Sequence, residues 1–197
     1  MINMKFILAS NNSGKCSEML EILAPYGIEL VTAKQAGFAS IDPDETGETF
    51  AENAEIKARA FCELTGMPVI ADDSGLCVDA LGGGPGVHTA RYAGDHDFAS
   101  GIDKLLFELK DVPAEKRSAR FVCSICCMWP DGRIVRAEGK CEGFIANERL
   151  GEGGFGFDPV FLLPDGRCFA VIPAEEKNAE SHRGNALHEL VKKLEIQ

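Results

Sequence analysis

The chain has 197 residues, 45% of them apolar and 26% charged, which suits a soluble globular fold whose core needs no disulfide staples. Lys and Arg number 20 against 31 Asp and Glu, a formal charge of -11 that opposes binding to a nucleic-acid polymer. No segment approaches the length of a membrane span, and the run Phe6-Ile7-Leu8-Ala9 is too short for the core of a signal peptide, so the expected location is the cytoplasm.

The first unit reads as strand, loop and helix. "KFILAS" is a β run, "NNSG" breaks it, and "KCSEMLEILAPYG" carries Met19, Leu20, Ile22 and Leu23 before Pro25 and Gly27 stop it. "IELVTA" is a second strand and "FASIDPDETGE" a loop. A long helix is predicted from about Thr49 to Leu64. Thr49 and Glu52 have capping-box spacing, Phe50, Ala54, Ala58 and Phe61 share a face, and Gly66 ends it. "MPVIAD" is a third strand, expected to end where Asp72, Asp73, Ser74 and Gly75 follow, since these are turn-forming types. "GGGPG", from Gly82 to Gly86, marks a sharp loop, and a helix on Ile102, Leu105, Leu106 and Leu109 comes next. The C-terminal half is richer in strands. "ARFVCSICCMW" and "RIVRAEGKCEGFI" flank a Pro130-Asp131-Gly132 turn, and "PVFLLPDGRCFAVIP" reads as a second hairpin around Asp165-Gly166. A last helix carries Leu187, Leu190, Val191 and Leu194. The fold class expected is α/β, a mixed sheet flanked by helices. The whole chain, 1–197, reads as one domain with two lobes.

Eight cysteines raise the question of metal. Cys123 and Cys126 form a C-x-x-C, but no second pair or His lies at zinc-ligand spacing, and the surrounding stretch reads as a buried strand.

Four clusters bear chemistry. "SNNSGK", Ser10 to Lys15, places small polar residues, Gly14 and a cation between a strand and a helix, where backbone amides can meet an anion. It is not a P-loop, since Ala9 and Cys16 occupy the positions where that motif needs Gly and Ser or Thr. Asp42, Asp44, Glu45 and Glu48 crowd the loop before the long helix, on which Asn53 and Lys57 fall four apart on one face. A second acid pair, Asp72-Asp73, sits at the expected strand end. Acids on two separate elements suit a Mg²⁺ that keeps several waters and holds substrate phosphates. "LGEGGFGFDPVF" contains G-x-G-x-x-G, yet no strand precedes it and Asp158-Pro159 breaks any helix. Phe155 and Phe157 in a Gly-rich loop instead suit a flat ligand such as a base. Finally, Lys177, His182 and Arg183 surround the start of the last helix, an end that disfavours cations unless an acceptor or anion comes from elsewhere.

Together these stretches resemble the inosine triphosphate pyrophosphatase family. "LASNNSGK" is similar to its opening motif, "ETGETFAENAEIKA" to its helix motif and "ADDSGLCVDALGGGPGVHTARYAG" to its central signature. "GGFGFDPVF" and "EEKNAESHRGNAL" complete the match over nearly the whole chain. The resemblance implies a cleft between two lobes, a homodimer, and Mg²⁺-dependent hydrolysis of ITP, dITP and XTP to the monophosphate and pyrophosphate. Asp73 would then be proton acceptor and metal ligand, with Asp44 as the other ligand and Glu45 as its alternative. Ser10, Asn11, Asn12, Ser13, Gly14, Lys15, Ser74, Phe155, Gly156, Phe157, Asp158, Lys177, His182 and Arg183 would bind substrate. Phe157 stands where Tyr is usual and Asp44 where Glu is frequent.

Overall fold

A computed structural model describes residues 4–94 and 96–195. Its regular elements, in chain order, are β1 (Met4–Leu8), α1 (Ser13–Leu23), β2 (Ile28–Thr32), α2 (Phe50–Thr65), β3 (Val69–Val78), α3 (Phe98–Glu108), β4 (Ser118–Met128), β5 (Ile134–Ile145), β6 (Phe161–Leu162), α4 (Ala174–Glu180) and α5 (His182–Glu195). The strands form one mixed sheet in the order β2-β1-β3-β4-β5-β6. β1 runs parallel to both β2 and β3, with Ile7 opposite Val69 and Leu8 opposite Ile70, and β5 is antiparallel to β6. The expected mixed α/β class is observed.

Local chemistry fixes the helix ends where the sequence placed them. Thr49 Oγ1 accepts from Glu52 N at 3.2 Å while Glu52 Oε2 accepts from Thr49 N at 3.0 Å, a complete capping box at the head of α2. Gly66 closes the helix in the left-handed region, φ 63°. Asn12 caps α1 through a 3.0 Å bond from Lys15 N to its side-chain oxygen.

Three expectations need correction. β3 does not stop at the acid pair but continues through Ser74 and Gly75 to Val78, because pairing with its neighbour β4 outweighs local turn preference. The second C-terminal hairpin contributes only the two-residue β6 and an isolated bridge between Leu162 and Cys168. A seven-residue helix, α4, precedes the last helix, and extended Ser181 separates the two.

The residues fall into two compact units, Met1–Asp73, Cys123–Gly139 and His182–Gln197 in the first, Ser74–Val122 and Lys140–Ser181 in the second. In the first, the sheet carries a buried apolar cluster on each face. One gathers Leu8, Met19, Ile70, Cys123, Ile125, Leu187 and Leu190, under α1 and α5. The other gathers Ile7, Ala54, Ala58, Phe61, Val69, Ala71 and Cys126, under α2. The second unit has its own core of Leu76, Val78, Ile102, Leu105, Phe121, Phe157, Phe161 and Phe169. α5 rests on β5 at Gly139, where a Cβ would lie 2.2 Å from Ala186 N and 2.3 Å from His182 O. Only glycine permits that approach.

Candidate active site

Side chains alternate sides along a strand, and this decides what the acid pair does. Ile70 belongs to the cluster under α1 and α5, Val69 and Ala71 to the one under α2. Asp72 therefore follows Ile70 toward α1 and α5, and Asp73 follows Ala71 toward α2. The adjacent carboxylates serve two different sets of partners.

Asp72, 1% exposed, receives Lys15 Nζ at 3.0 Å and Arg183 Nη2 at 3.4 Å, while Arg183 Nη1 also donates to Glu18. Lys15 and Glu18 lie three apart on α1, so one turn of helix closes a ring of alternating charge, Lys15, Asp72, Arg183, Glu18. Burial alone would raise the proton affinity of Asp72, but Lys15, Arg183 and Lys57 hold its carboxyl well below the usual carboxylate range. Burial likewise works against the charge on Arg183, and Asp72 and Glu18 more than restore it. The acceptors that the head of α5 needed come from β3 and α1. His182 is buried beside Arg183. Within the preceding loop, Ser10 Oγ accepts from Asn12 N at 3.3 Å and the Asn11 amide donates to Ala39 O at 3.3 Å. Ser13 and Gly14 occupy the first turn of α1, where backbone amides have no intrahelical acceptor. The loop thus presents amides and the Lys15 ammonium together, an anion-receiving arrangement.

On the opposite side, Asn53 Nδ2 donates to Asp73 Oδ2 at 3.1 Å, and Lys57 Nζ stands 3.6 Å from Asp73 Oδ1 and 3.0 Å from Glu45 Oε1. Burial raises the proton affinity of Asp73. Lys57 and Lys15 oppose the rise and Glu45 and Asp72 add to it, leaving the carboxyl above its ordinary value. Lys57 is disfavoured by burial but strengthened by Asp73, Asp72 and Glu45, so it stays charged. Asp44 is exposed, one residue from Glu45. Among the described residues no group of three or more His, Cys, Asp or Glu side chains is arranged to hold a metal. The donors that converge are two carboxylates, Asp73 and Glu45, already sharing one cation in Lys57. Two hard oxygen ligands with room for waters and phosphates match what Mg²⁺ takes in nucleotide sites.

In the second unit, the Gly-rich loop folds around Asp158. Its Oδ2 accepts from Phe155 N at 2.7 Å and from Lys177 Nζ at 2.6 Å, both Lys177 and Asp158 being buried. Gly154, φ 71°, lies so close that a Cβ there would meet Asp158 Oδ2 at 2.2 Å. Lys177 sits 4.6 Å over the ring of half-buried Phe155. The ring of Phe157 is not a platform for a ligand. It is 2% exposed and packs 6.0 Å from Phe98 and 6.3 Å from Tyr92, so any substrate contact of this residue is through its backbone. Its Cζ end faces Gly101, where a Cβ would lie 3.1 Å away. Ser74 follows directly on Asp73 and is half-buried.

The model of the Ham1 family matches residues 6–193. The chain belongs to the Ham1 family. It is 50% identical over 187 residues to a dITP/XTP pyrophosphatase of Desulforamulus reducens, covering 93% of this chain and 92% of that one. A dITP/XTP pyrophosphatase of Pectobacterium atrosepticum is 45% identical over 194 residues, 96% of this chain and 98% of the relative. Among solved structures, a HAM1 protein from Coxiella burnetii superposes with a TM-score of 0.87 at 42% identity, covering 98% of this chain and all of the other. The family resemblance read from the five motifs is borne out.

Within this Ham1 chain the structure gives Asn53 and Lys57 their partner and adds Glu18. Asn53 and Lys57 shared a helical face in the sequence reading, but that the face turns toward Asp73 depends on the sheet. Glu18 carried no signal beyond its position three after Lys15.

Proposed function

We propose that this chain is a Mg²⁺-dependent nucleoside triphosphate pyrophosphatase. It would hydrolyse non-standard purine nucleotides (ITP, dITP and XTP) to the monophosphate and pyrophosphate, clearing them from the cytoplasmic pool, and work as a homodimer. The observation that carries this reading is the pair of near full-length relatives, 50% and 45% identical, that both bear the name dITP/XTP pyrophosphatase.

The side chains support it. Asp73 is the proton acceptor, its affinity raised by burial, and takes a proton from the attacking water. The water oxygen bonds to the α-phosphorus as the bond to the bridging oxygen breaks, and pyrophosphate leaves. Lys15 and the amides of Ser13 and Gly14, framed by Ser10, Asn11 and Asn12, offset charge on the phosphates as it shifts. Asp72 orients Lys15 rather than reacting. Asp73 with Glu45 or Asp44 would hold Mg²⁺, which lowers the pKa of water and neutralises phosphate oxygens when bound. Glu45 is the better placed of the two, since it already shares Lys57 with Asp73. Ser74, Phe155, Gly156, the backbone of Phe157, Asp158, Lys177, His182 and Arg183 complete substrate binding. The Phe155 ring offers a purine a π face.

Purified protein is assayed with ITP, with and without Mg²⁺, and products are separated by ion exchange. IMP and pyrophosphate, formed only with the metal and far faster than from ATP or GTP, are expected. IDP and orthophosphate, or no turnover of ITP, would overturn the reading.

A further inference from the structure

Asn53 is 1% exposed on α2 and bonds at both ends of its amide. Its Oδ1 accepts from Gly47 N at 2.8 Å, and its Nδ2 donates to Asp73 Oδ2 at 3.1 Å. A backbone N–H can only donate, so Gly47 dictates which end of the amide faces the loop and leaves only the NH₂ group for Asp73. The carboxylate oxygen meeting that NH₂ must be an acceptor, and a hydrogen placed on it would face the amide hydrogens. The backbone of Gly47 thereby sets, through Asn53, the rotation of the Asp73 carboxylate. The relay is tight at its origin, since a Cβ on Gly47 would lie 2.7 Å from Asn53 Oδ1.

We propose that Asn53 is a positioning residue for the reaction: locked by the Gly47 N–H, it holds Asp73 Oδ2 as an acceptor and turns Oδ1 toward Lys57 and the attacking water. Asp73 Oδ1, 3.6 Å from Lys57 Nζ, is then the oxygen that takes the proton. Glu52 and Asn53 divide the head of α2 between them. Glu52 caps the helix through Thr49 and Glu48 N, while Asn53, one position on, ties the same loop to β3. The inference rests on the reading of Asp73 as proton acceptor.

The test compares Asn53→Asp, Gly47→Ala and Asp73→Asn in steady-state hydrolysis of ITP, with circular dichroism melts on each. Asn53→Asp keeps an acceptor for Gly47 N–H but sets a second carboxylate oxygen against Asp73. It is expected to lower kcat about 10–100-fold, the scale of one charge-assisted hydrogen bond, with KM within about threefold. Should Asn53→Asp fail to fold, Gly47→Ala displaces Asn53 with its amide intact and is expected to give the same split, smaller in size. Wild-type kcat in both variants beside an inactive Asp73→Asn would overturn the role of Asn53 alone. A loss of kcat matched by an equal loss of folded protein would overturn it too. Full turnover by Asp73→Asn would instead remove the reading of Asp73 and the inference with it.

Discussion

A carboxylate as deeply buried as Asp72 stays ionised only where cations surround it, and Lys15 and Arg183 do so here. Its proton affinity is lower in the folded than in the unfolded chain. Its contribution to stability is thus fully present above the unfolded value of about 3.9 and is lost as the pH falls below it. Asp72→Asn leaves two cations facing a neutral amide and is expected to cost about 3–5 kcal/mol at pH 7. Denaturant unfolding from pH 7 to pH 2 should show the gap between wild type and variant narrowing below about pH 4. For Asp73 the sign is opposite. Burial raises its proton affinity, so ionising it costs the folded state, and metal-free Asp73→Asn should melt no lower than wild type while losing turnover. One strand therefore holds a carboxylate whose charge stabilises the fold and, next to it, the carboxylate proposed to take the proton. If Asp72→Asn proved as stable as wild type at pH 7, the charge ring would not contribute to stability.

Between elements, α5 approaches β5 very closely at Gly139. Gly139→Ala would drive a methyl group into the backbone of Ala186 and His182. The expected cost is about 1–3 kcal/mol in urea unfolding, with a raised KM for ITP because the displaced helix end carries His182 and Arg183. How much of this was legible in the sequence depends on how local the cause is. The capping box of Thr49 and Glu52, the Gly66 stop and the apolar face of the last helix are set within a few residues, and all were readable. The C-x-x-C divides between the two sides of the sheet. Cys123 faces the α1 and α5 side and Cys126 the α2 side, as residues three apart on a strand must, so they cannot share an ion. The run of β3 past Asp73 was not readable, because ladder partners distant in sequence decide it. α4 was missed for a related reason. Seven residues are too few for a periodic signal, and its attachments, Arg167 to Glu176 and Glu180 and Lys177 to Asp158, come from beyond the helix. The motifs brought the candidate residues into view, whereas Glu18, whose contact depends on Arg183, carried no signal of its own.

For the whole molecule, the chain passes between the two compact units at 73/74, 122/123, 139/140 and 181/182, so neither unit is a continuous stretch. Three of those crossings lie within β3, β4 and β5, and a strand cannot melt at one end without breaking its ladder there. We expect one cooperative transition. Trp129, the single tryptophan, lies in the first unit and reports it by fluorescence, while far-UV circular dichroism reports both. Coincident urea curves are the expected result, and separate midpoints would show units that unfold independently. The charge ring also bears on the order in which a ribosome delivers its members. Arg183 pairs with Glu18 across 165 positions and with Asp72 across 111, so α5 brings the missing cation to groups synthesised long before it. A nascent chain still lacking α5 holds Asp72 and Glu18 without the guanidinium that pairs with both. The surroundings of Lys15 are thus completed only once α5 has been made, and a chain cut short before α5 does not inherit them.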